Sequence, residues 1–339
     1  MIKRYNRYHL VVIGDYNDND AHGIVQDNLY YWFDQQDLSI LGFDRVDVKP
    51  FNTMETGYML ARRALNPLSP SARQVFFVNT APRMDDFKAR ATNQGEGFVE
   101  ATLKNGKRIY GVDSGFALSF IKPQIQSLYK LNVPDSAEDI PMLAEALGRE
   151  GGGNIGAGQF RSGYIYPIVA AMALAGFDNP ISPKFSALYG DAVDPAALPD
   201  IPDDVIVFRD GYGNFKTSIR PDALAQQVGE FAVISSQGAE IIAHVRAGIF
   251  DVPLHHFSFA PGSTILAYAD GTRRQFTEVV LRGGHAARAF ARTIGGRSVS
   301  PVEGDAISWR LATSSDFDRL GYGADGKPPQ DVLAAATRS

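Results

Sequence analysis

The first half of the chain alternates continuous apolar runs with segments whose apolar residues recur every three to four positions. Runs typical of strands buried on both faces lie at 9–14, 43–51 and 73–82. Helical spacing occurs at 23–33, 54–65, 136–150 and 163–176. The segment "GFVEATLKNGKRIYGV" predicts a hairpin that turns at Asn105-Gly106. Strands that alternate with helices predict an α/β domain with a mostly parallel central sheet.

The pattern changes in the second half. Residues 190–203 are rich in proline and aspartate and have no periodicity, which is typical of a linker. Short strands separated by turn residues follow, and they predict a smaller all-β, barrel-like domain. The predicted organisation is an α/β domain at 1–189, the linker, a β domain at 204–314 and a polar tail at 315–339.

Composition narrows the class of protein. The 339 residues are 45% hydrophobic and 21% charged, which is ordinary for a globular protein. The net charge of −5 gives no basic footprint for nucleic acid, and without cysteine there is no disulfide or thiolate chemistry. The apolar run near the N-terminus is too short for a signal peptide or a membrane span. We therefore expect a cytoplasmic protein with no membrane or nucleic-acid partner.

The stretch "GDYNDND" (14–20) places Asp15, Asp18 and Asp20 directly after a buried strand. Crowded carboxylates repel one another, so we expect them to bind a cation, to bind a polar ligand, or to lie in a solvated turn. The calcium-loop pattern is not met, because Asp20 stands where that pattern has glycine.

Generic catalytic motifs are weak in this sequence. The glycine-rich segment 148–160 lacks the Gly-Lys-Ser/Thr of a phosphate-binding loop, and no G-x-S-x-G is present. His255 and His256 are adjacent, so in a strand they point to opposite faces. What remains are polar residues after strands, such as Asp15, Asn79 and Thr80, where open α/β sheets bind ligands.

Six segments in order resemble one known family. They are Asp15 with Asp20, "FFVNTAPR" (76–83), "YGVDSG" (110–115), "QFRSGYIYPIVAA" (159–171), "DGYGNFKTSI" (210–219) and "RRQFTEVVLRGG" (273–284). Over about residues 8–290 the chain resembles the S-adenosylmethionine (SAM) hydrolases, or SAM hydroxide adenosyltransferases, whose family also contains the SAM-dependent fluorinases and chlorinases.

The resemblance implies a role for each substrate-binding residue. Asp15 would accept hydrogen bonds from both ribose hydroxyls. Asp20, helped by Asp210, would bind the ammonium of the methionine part. Asn79 would also contact the substrate. The remaining implied contacts are Tyr212 and Phe215 as apolar or stacking walls, Asn214 on the adenine, and the backbone of Arg282 and Gly283 on the adenine edge.

The implied chemistry is displacement at C5′ of the adenosyl group, with SAM as substrate and no metal or cofactor. The hydrolases use an Asp–Arg–His set, which is missing or rebuilt here, since Ala81 and Arg161 stand at the aspartate and histidine positions. Ser162 falls where halogenating relatives have their halide-contacting serine. The candidate catalytic residues are therefore Arg161, Ser162, Thr80 and Arg83. The family also implies a homotrimer whose active site lies between neighbouring subunits.

Hydrolysis of SAM to adenosine and methionine is the favoured interpretation, and three alternatives stay open. The first is SAM-dependent halogenation or another 5′-adenosyl transfer. The second is a calcium-assisted nucleoside hydrolase, whose usual D-x-D-x-x-x-D-D pattern is broken by Asn17 and Ala21. The third is a protein that binds SAM or adenosine without catalysis.

Overall fold

The structure is a computed structural model that describes residues 6–16, 18–66, 73–80, 97–133, 161–176, 188–294 and 297–337. Its contacts divide the chain into two compact units, Met1–Asp200 and Ile201–Ser339, named unit 1 and unit 2. The predicted helix at 136–150 and the glycine-rich segment at 148–160 lie outside the described residues.

Unit 1 is built on one seven-stranded sheet with helices on it. The strands are β1 (Asn6–Gly14), β2 (Leu38–Asp47), β3 (Gln74–Asn79), β4 (Phe98–Leu103), β5 (Arg108–Val112), β6 (Ile125–Leu131) and β7 (Tyr189–Ala192). The helices are α1 (Asn19–Gln35), α2 (Thr53–Ala64), α3 (Arg161–Tyr164) and α4 (Tyr166–Ala175), with 3₁₀ turns at Ser119–Gln124 and Pro195–Ala197.

Burial explains why these segments form these elements. In β1 every residue from Leu10 to Ile13 is fully buried, because α1 and α4 pack on one face of the sheet and α2 contacts β1 and β3. Each long helix begins at a polar cap. The Asp18 carboxylate accepts from Ala21 N at the start of α1, and Asn52 Oδ1 accepts from Glu55 N at the start of α2.

The prediction of a mostly parallel central sheet is wrong. The strand order is β2-β1-β3-β5-β4-β6-β7, and β2, β1, β3 and β5 are parallel, whereas β4, β6 and β7 pair antiparallel. The reason is the hairpin at Asn105-Gly106. Since β5 runs parallel to β3, its hairpin partner β4 must run the other way. β6 lies on the other side of β4 and pairs antiparallel with it, so it runs parallel to β5, from which residues 113–124 cross over.

Unit 2 holds a second seven-stranded sheet and a two-stranded one. Its strands are β8 (Ile206–Arg209), β9 (Phe215–Thr217), β10 (Phe231–Ser236), β11 (Ala239–Val245), β12 (Phe257–Ala267), β13 (Arg273–Leu281), β14 (Arg292–Ile294), β15 (Arg297–Val299) and β16 (Ile307–Leu311). Its helical segments are Pro221–Ala223, Ala225–Gln227, α5 (Ala286–Ala289), α6 (Ser314–Leu320) and α7 (Gln330–Thr337).

Unit 2 is the smaller unit, as expected, but the expectation that it is all-β is wrong, because it contains helices. The sheet order is β16-β10-β11-β12-β13-β9-β8, with β11 and β12 parallel and the other pairs antiparallel. An isolated bridge joins Val205 to Ala306, beside the two outer strands. The segment 315–339, expected as a polar tail, contains most of α6 and all of α7. Apolar residues of both helices, Phe317, Leu320, Val332 and Ala336, belong to or pack against the core of the unit.

Candidate functional site

In unit 1 the ends of three parallel strands meet at one edge of the sheet. Gly14 at the end of β1 is paired with Asn79 at the end of β3, and Val78 is paired with Gly111 of β5. The residues that follow these strands therefore leave the sheet side by side. They are Asp15, Thr80 and the "VDSG" segment, in which burial raises the pKa of Asp113.

Asp15 is half-buried and is tied to both neighbouring segments. Its Oδ2 accepts a hydrogen bond from Phe51 N at 3.0 Å, and its own N–H donates to Asn79 O at 3.2 Å. Phe51 has a φ of 61°, which turns its N–H toward the carboxylate. A carboxylate has about four acceptor positions, so this anchor fixes its orientation and leaves it able to accept hydrogen bonds from a ligand.

The other two carboxylates of the acidic stretch have different surroundings. Asp18 is the cap of α1, with a distance of 2.6 Å between its Oδ1 and Ala21 N. Asp20 is exposed in the first turn of that helix. Within the described ranges, no group of three or more His, Cys, Asp or Glu side chains could hold a metal ion. Asp15, Asp18 and Asp20 therefore have separate surroundings, and the nucleoside hydrolase alternative stays a prediction.

Thr80 is buried in a chain of hydroxyl contacts. Its Oγ1 lies 2.6 Å from Thr56 Oγ1, which in turn donates to Asn52 O. Thr80 O accepts from Ser114 Oγ at 3.1 Å. These bonds join α2 to the ends of β3 and β5. The contacts give Thr80 a structural role here, whereas the sequence placed it among the catalytic residues.

The segment that holds Arg161 and Ser162 is not one long helix. The sequence predicts a helix over 163–176, and the structure has the four-residue α3 followed by α4. Pro167, near the start of α4, has no N–H to donate back along the chain, which explains the break. Asn28 of α1 donates to Gly163 O at 2.8 Å and fixes α3 to α1. Ser162 is buried; the side chain of Arg161 and all of Arg83 lie outside the described residues.

Tyr16 was missed at the level of sequence. Its side chain is buried, and its ring lies edge-on to His22 of α1. Burial raises the pKa of Tyr16. The phenol is therefore neutral at ordinary pH. The one local signal in the sequence is Gly14, which leaves space for a ring two residues later.

In unit 2 the segment "DGYGN" forms the turn between β8 and β9. The Asp210 carboxylate accepts from the backbone N–H groups of Tyr212 and Asn214, both at 2.9 Å, and from Asn214 Nδ2 at 3.2 Å. Gly213 has a φ of 77°, and a Cβ added there would lie 2.1 Å from the His285 ring. Asp210 thus holds the turn, and Gly213 lets His285 approach it closely.

This turn forms one wall of an open groove with a volume of about 640 Å³. Arg282 and Gly283, predicted from a separate motif, line it too. The Arg282 guanidinium donates to Val252 O at 2.5 Å. The full lining is Gly211, Tyr212, Asn214, Phe250, Val280, Leu281, Arg282, Gly283, Gly284, His285, Ala336 and Thr337.

Three aromatic side chains near the groove differ in exposure. Tyr212 is 79% exposed and Phe250 is 68% exposed, so both offer ring faces to a ligand. Phe215, expected to be a stacking wall, is fully buried and packs edge-on against Phe290 in the core. The stacking surface at this groove therefore comes from Tyr212 and Phe250.

Asn214 lines the groove and has a buried acceptor. Its amide nitrogen donates to Asp210, which fixes the amide with Oδ1 as the acceptor. That Oδ1 is buried and has no hydrogen-bond partner among the described residues. A buried acceptor without a described partner is costly to the fold.

His285, which the sequence did not single out, also lines the groove. Its Nδ1 accepts from Arg288 N at 3.2 Å, so it caps the short α5. Burial, and then the charges of Arg288 and Arg209, lower its pKa. His285 is consequently neutral at pH 7 and offers an uncharged ring to the groove.

Among the described helices, none combines the length and the apolar character that crossing a membrane requires.

No protein-family model matches the chain, and a search of curated proteins gives no match. Solved structures do match. An uncharacterized conserved protein from Thermotoga maritima aligns with a TM-score of 0.57 at 15% identity, over 89% of this chain and 100% of that one. A conserved hypothetical protein from Thermus thermophilus aligns with a TM-score of 0.53 at 17% identity, over 90% and 100%. At these identities the likeness establishes a shared fold alone.

Proposed function

We propose that this protein binds S-adenosylmethionine and catalyses displacement at C5′ of its adenosyl group, with water as nucleophile and with adenosine and methionine as products. The proposal rests on the family resemblance. The observation that carries it is the groove of unit 2. Tyr212 and Asn214 come from one motif and Arg282 and Gly283 from another, about seventy residues later, and all four line the same groove.

The groove suits an adenine ring. Adenine is flat, and the exposed rings of Tyr212 and Phe250 provide faces on which it can stack. Its exocyclic amine is a donor, and the buried Oδ1 of Asn214 is an acceptor in need of one. A base with a carbonyl at that position, such as hypoxanthine, would place two acceptors together. The proposal therefore includes preference for adenosine over inosine.

Asp15 suits a ribose. A vicinal diol presents two O–H donors, and an ionised carboxylate accepts both in a bidentate arrangement. The bond from Phe51 N holds the carboxylate in place before ligand arrives, which lowers the entropic cost of binding.

The reaction needs little from the protein. A lone pair of the water oxygen forms the new bond to C5′, and the C5′–S bond breaks with its electrons moving to sulfur, which becomes the neutral thioether of methionine. The water loses one proton to solvent. Since the sulfonium is already a good leaving group, the protein's contribution is to align the nucleophile and remove its water shell.

A second candidate is halide transfer to the same carbon. It is favoured by the buried Ser162, because a hydroxyl donor in a dry site suits a halide ion. The homotrimeric state, the cytoplasmic location and the absence of nucleic-acid and membrane partners are kept as proposals, and the assembly is tested by measuring the mass in solution.

The deciding experiment is incubation of the purified protein with SAM in chloride-free buffer, in chloride and in fluoride, followed by chromatography. Adenosine supports hydrolysis, and a 5′-halogenated adenosine supports halide transfer. Binding of SAM without product supports the non-catalytic alternative. A parallel incubation with inosine and calcium tests the nucleoside hydrolase, and release of free base there would overturn the proposal.

The Asn214→Leu variant tests the adenine assignment separately. It removes the acceptor at similar size, so the preference for adenosine over inosine should fall by about 1 kcal/mol in calorimetry. Gln275→Leu is a matched control, because its amide donates to Gly262 O in the same unit and it does not line the groove.

A further inference from the structure

The loop between β11 and β12 carries an exposed aromatic ring to the groove of unit 2. The loop spans 246–256, and Phe250 stands in a tight turn that is closed by a hydrogen bond from Asp251 N to Gly248 O at 3.2 Å. Phe250 is 68% exposed and lines the groove, whereas Val252, two residues later, is 3% exposed. A surface loop with few buried side chains has little packing of its own, so its position depends on how its backbone is held.

Two arginines hold three successive carbonyl groups of this loop. Arg282, directly after β13, donates from one guanidinium nitrogen to Val252 O at 2.5 Å and to Phe250 O at 3.4 Å. Arg246 Nε donates to Asp251 O at 3.1 Å. A guanidinium carries its N–H donors in a rigid planar fork, which suits it to fixing backbone carbonyls that lie close together. The turn that contains Phe250 is therefore held from both sides by side chains outside the turn.

The backbone of Arg282 fastens the far end of the same loop. Its N–H donates to His256 O at 3.1 Å, and its carbonyl accepts from His255 N at 2.8 Å. Leu254 packs over Gly283, where an added Cβ would lie 2.5 Å from Leu254 Cδ1. The sequence indicated a role for the backbone of Arg282 alone. In the structure the backbone closes the end of the loop, and the side chain reaches the middle of it.

We propose that Arg282 is a positioning residue whose guanidinium holds Phe250 at the groove, so that the adenine ring of the ligand stacks on Phe250 as well as on Tyr212. This inference rests on the proposed function and deepens it, because it assigns the second stacking wall, expected at Phe215, to a ring from a different loop. An aromatic ring that is held in place before binding offers its face to a purine at a lower entropic cost. Without the bonds from Arg282, the ligand would have to order the loop itself.

The test is calorimetry of adenosine binding to the parent, Phe250→Ala, Arg282→Met and the double variant. Phe250→Ala should weaken binding about tenfold, which is typical when a base loses an aromatic ring on which it stacks. Arg282→Met keeps an apolar stem and removes the donors, and it should weaken binding about threefold to tenfold. The double variant should bind adenosine as weakly as Phe250→Ala and no more weakly, since Arg282 acts through that ring.

A spectroscopic measurement separates the position of the loop from the stability of the fold. Phe250→Trp adds an indole to the loop, and its signal is the difference from the parent. Before ligand is added, Arg282→Met in this background should lower the fluorescence anisotropy of that indole, because the loop is released. Arg282→Lys keeps a donor that can reach one carbonyl, so it should recover part of the anisotropy and part of the affinity for adenosine.

Arg319→Met is the matched control. Arg319 lies in α6 of the same unit, pairs with Glu240 and Asp316, and does not line the groove. The same chemical change there should leave both adenosine affinity and the anisotropy at the loop unchanged. With SAM as substrate, Arg282→Met should raise KM and leave kcat unchanged, because stacking of the base is the same in the ground state and the transition state.

Three results would overturn the inference alone. They are a Phe250→Ala variant that binds adenosine like the parent, an Arg282→Met loss that persists in full without the Phe250 ring, and an anisotropy that Arg282→Met does not change. Arg282→Lys tests the same coupling if Arg282→Met does not fold. The proposed function fails separately. A parent that binds adenosine through Phe250 and Arg282 but leaves SAM unconverted overturns displacement at C5′ and supports the inference, whereas a parent that binds neither adenosine nor SAM overturns both.

Discussion

In unit 1 the candidate side chains Asp15 and Thr80 follow buried parallel strands and hydrogen-bond to other segments, whereas in unit 2 the candidates line an open groove beside an antiparallel turn. Asp15 and Thr80 are held by hydrogen bonds from distant segments. Tyr212 is 79% exposed, and Asn214 keeps a buried acceptor without a described partner. Unit 1 provides the Asp15 carboxylate, held in place by a hydrogen bond, and unit 2 provides the exposed Tyr212 ring and the Asn214 acceptor. The two therefore differ in what a substitution should change.

The largest expected effect is on binding through unit 1. Asp15→Asn keeps the shape and still accepts from Phe51 N, but it loses the charge on the proposed ribose contact. Adenosine affinity should fall by about 2–4 kcal/mol in calorimetry. The control is Asp18→Asn, whose carboxylate caps α1. Equal weakening by both variants would remove the distinction between a ligand carboxylate and a capping one.

The next effect is on the alkaline stability of unit 1. Lys107 is fully buried, and burial lowers its pKa from 10.5 to about 8. Between those values the unfolded chain binds more protons than the folded one, so the free energy of unfolding should rise with pH from about 8 to 10.5. Lys107→Met should remove this slope and raise stability at pH 7, by on the order of 2–3 kcal/mol. Urea unfolding at several pH values measures it, and an unchanged slope would contradict the assignment.

The shape of the groove in unit 2 is tested by a pair of glycine variants. Gly213→Ala places a methyl group against the His285 ring at a φ of 77° and should destabilise the protein by about 2 kcal/mol. Gly211→Ala is matched to it, because nothing lies within 4 Å of a Cβ there. Urea unfolding should separate the two. Similar losses would mean that the turn adapts and that the groove is not fixed by glycine.

The smallest expected effect is a loss of stability in acid that arises from His244 in unit 2. Burial, and then the charges of Arg246 and His256, lower the pKa of His244 from 6.5 to about 4. The unfolded chain therefore binds the extra proton first, and stability should be lost as pH falls through that window, by on the order of 1–2 kcal/mol. His244→Gln should flatten this part of the pH profile. The opposite result, a steeper acid loss, would show that the ring is protonated in the folded protein.

Local features of the fold were readable from sequence, and the direction of strands was not. The Asn105-Gly106 turn was predicted, and Gly106 has the positive φ that such turns need. The hairpin prediction made β4 antiparallel to β5, whereas β6 and β7, which add two further antiparallel pairs, were not predicted as strands. A continuous run of buried residues indicates that both faces of the strand are covered. It does not indicate whether the neighbouring strand runs parallel or antiparallel.

In the candidate site, too, features set by local sequence were predictable and features set by distant contacts were not. The "DGYGN" turn places Tyr212 and Asn214 on the groove through local backbone geometry, which its sequence encodes. Phe215 points into the core because successive side chains of a strand lie on opposite faces of the sheet. A shift of one residue along β9 would place it on the other face. Tyr16 packs beside Gly14 and against His22, and neither contact follows a residue pattern that the sequence analysis used.

The close fit between position 14 and the Tyr16 ring also restricts the order in which mutations can accumulate. A lineage could gain a side chain at Gly14 only after the aromatic at Tyr16 had been replaced by something smaller, since the reverse order forces a 2.5 Å contact. Random mutagenesis with selection for folding should therefore recover changes at position 14 together with changes at position 16.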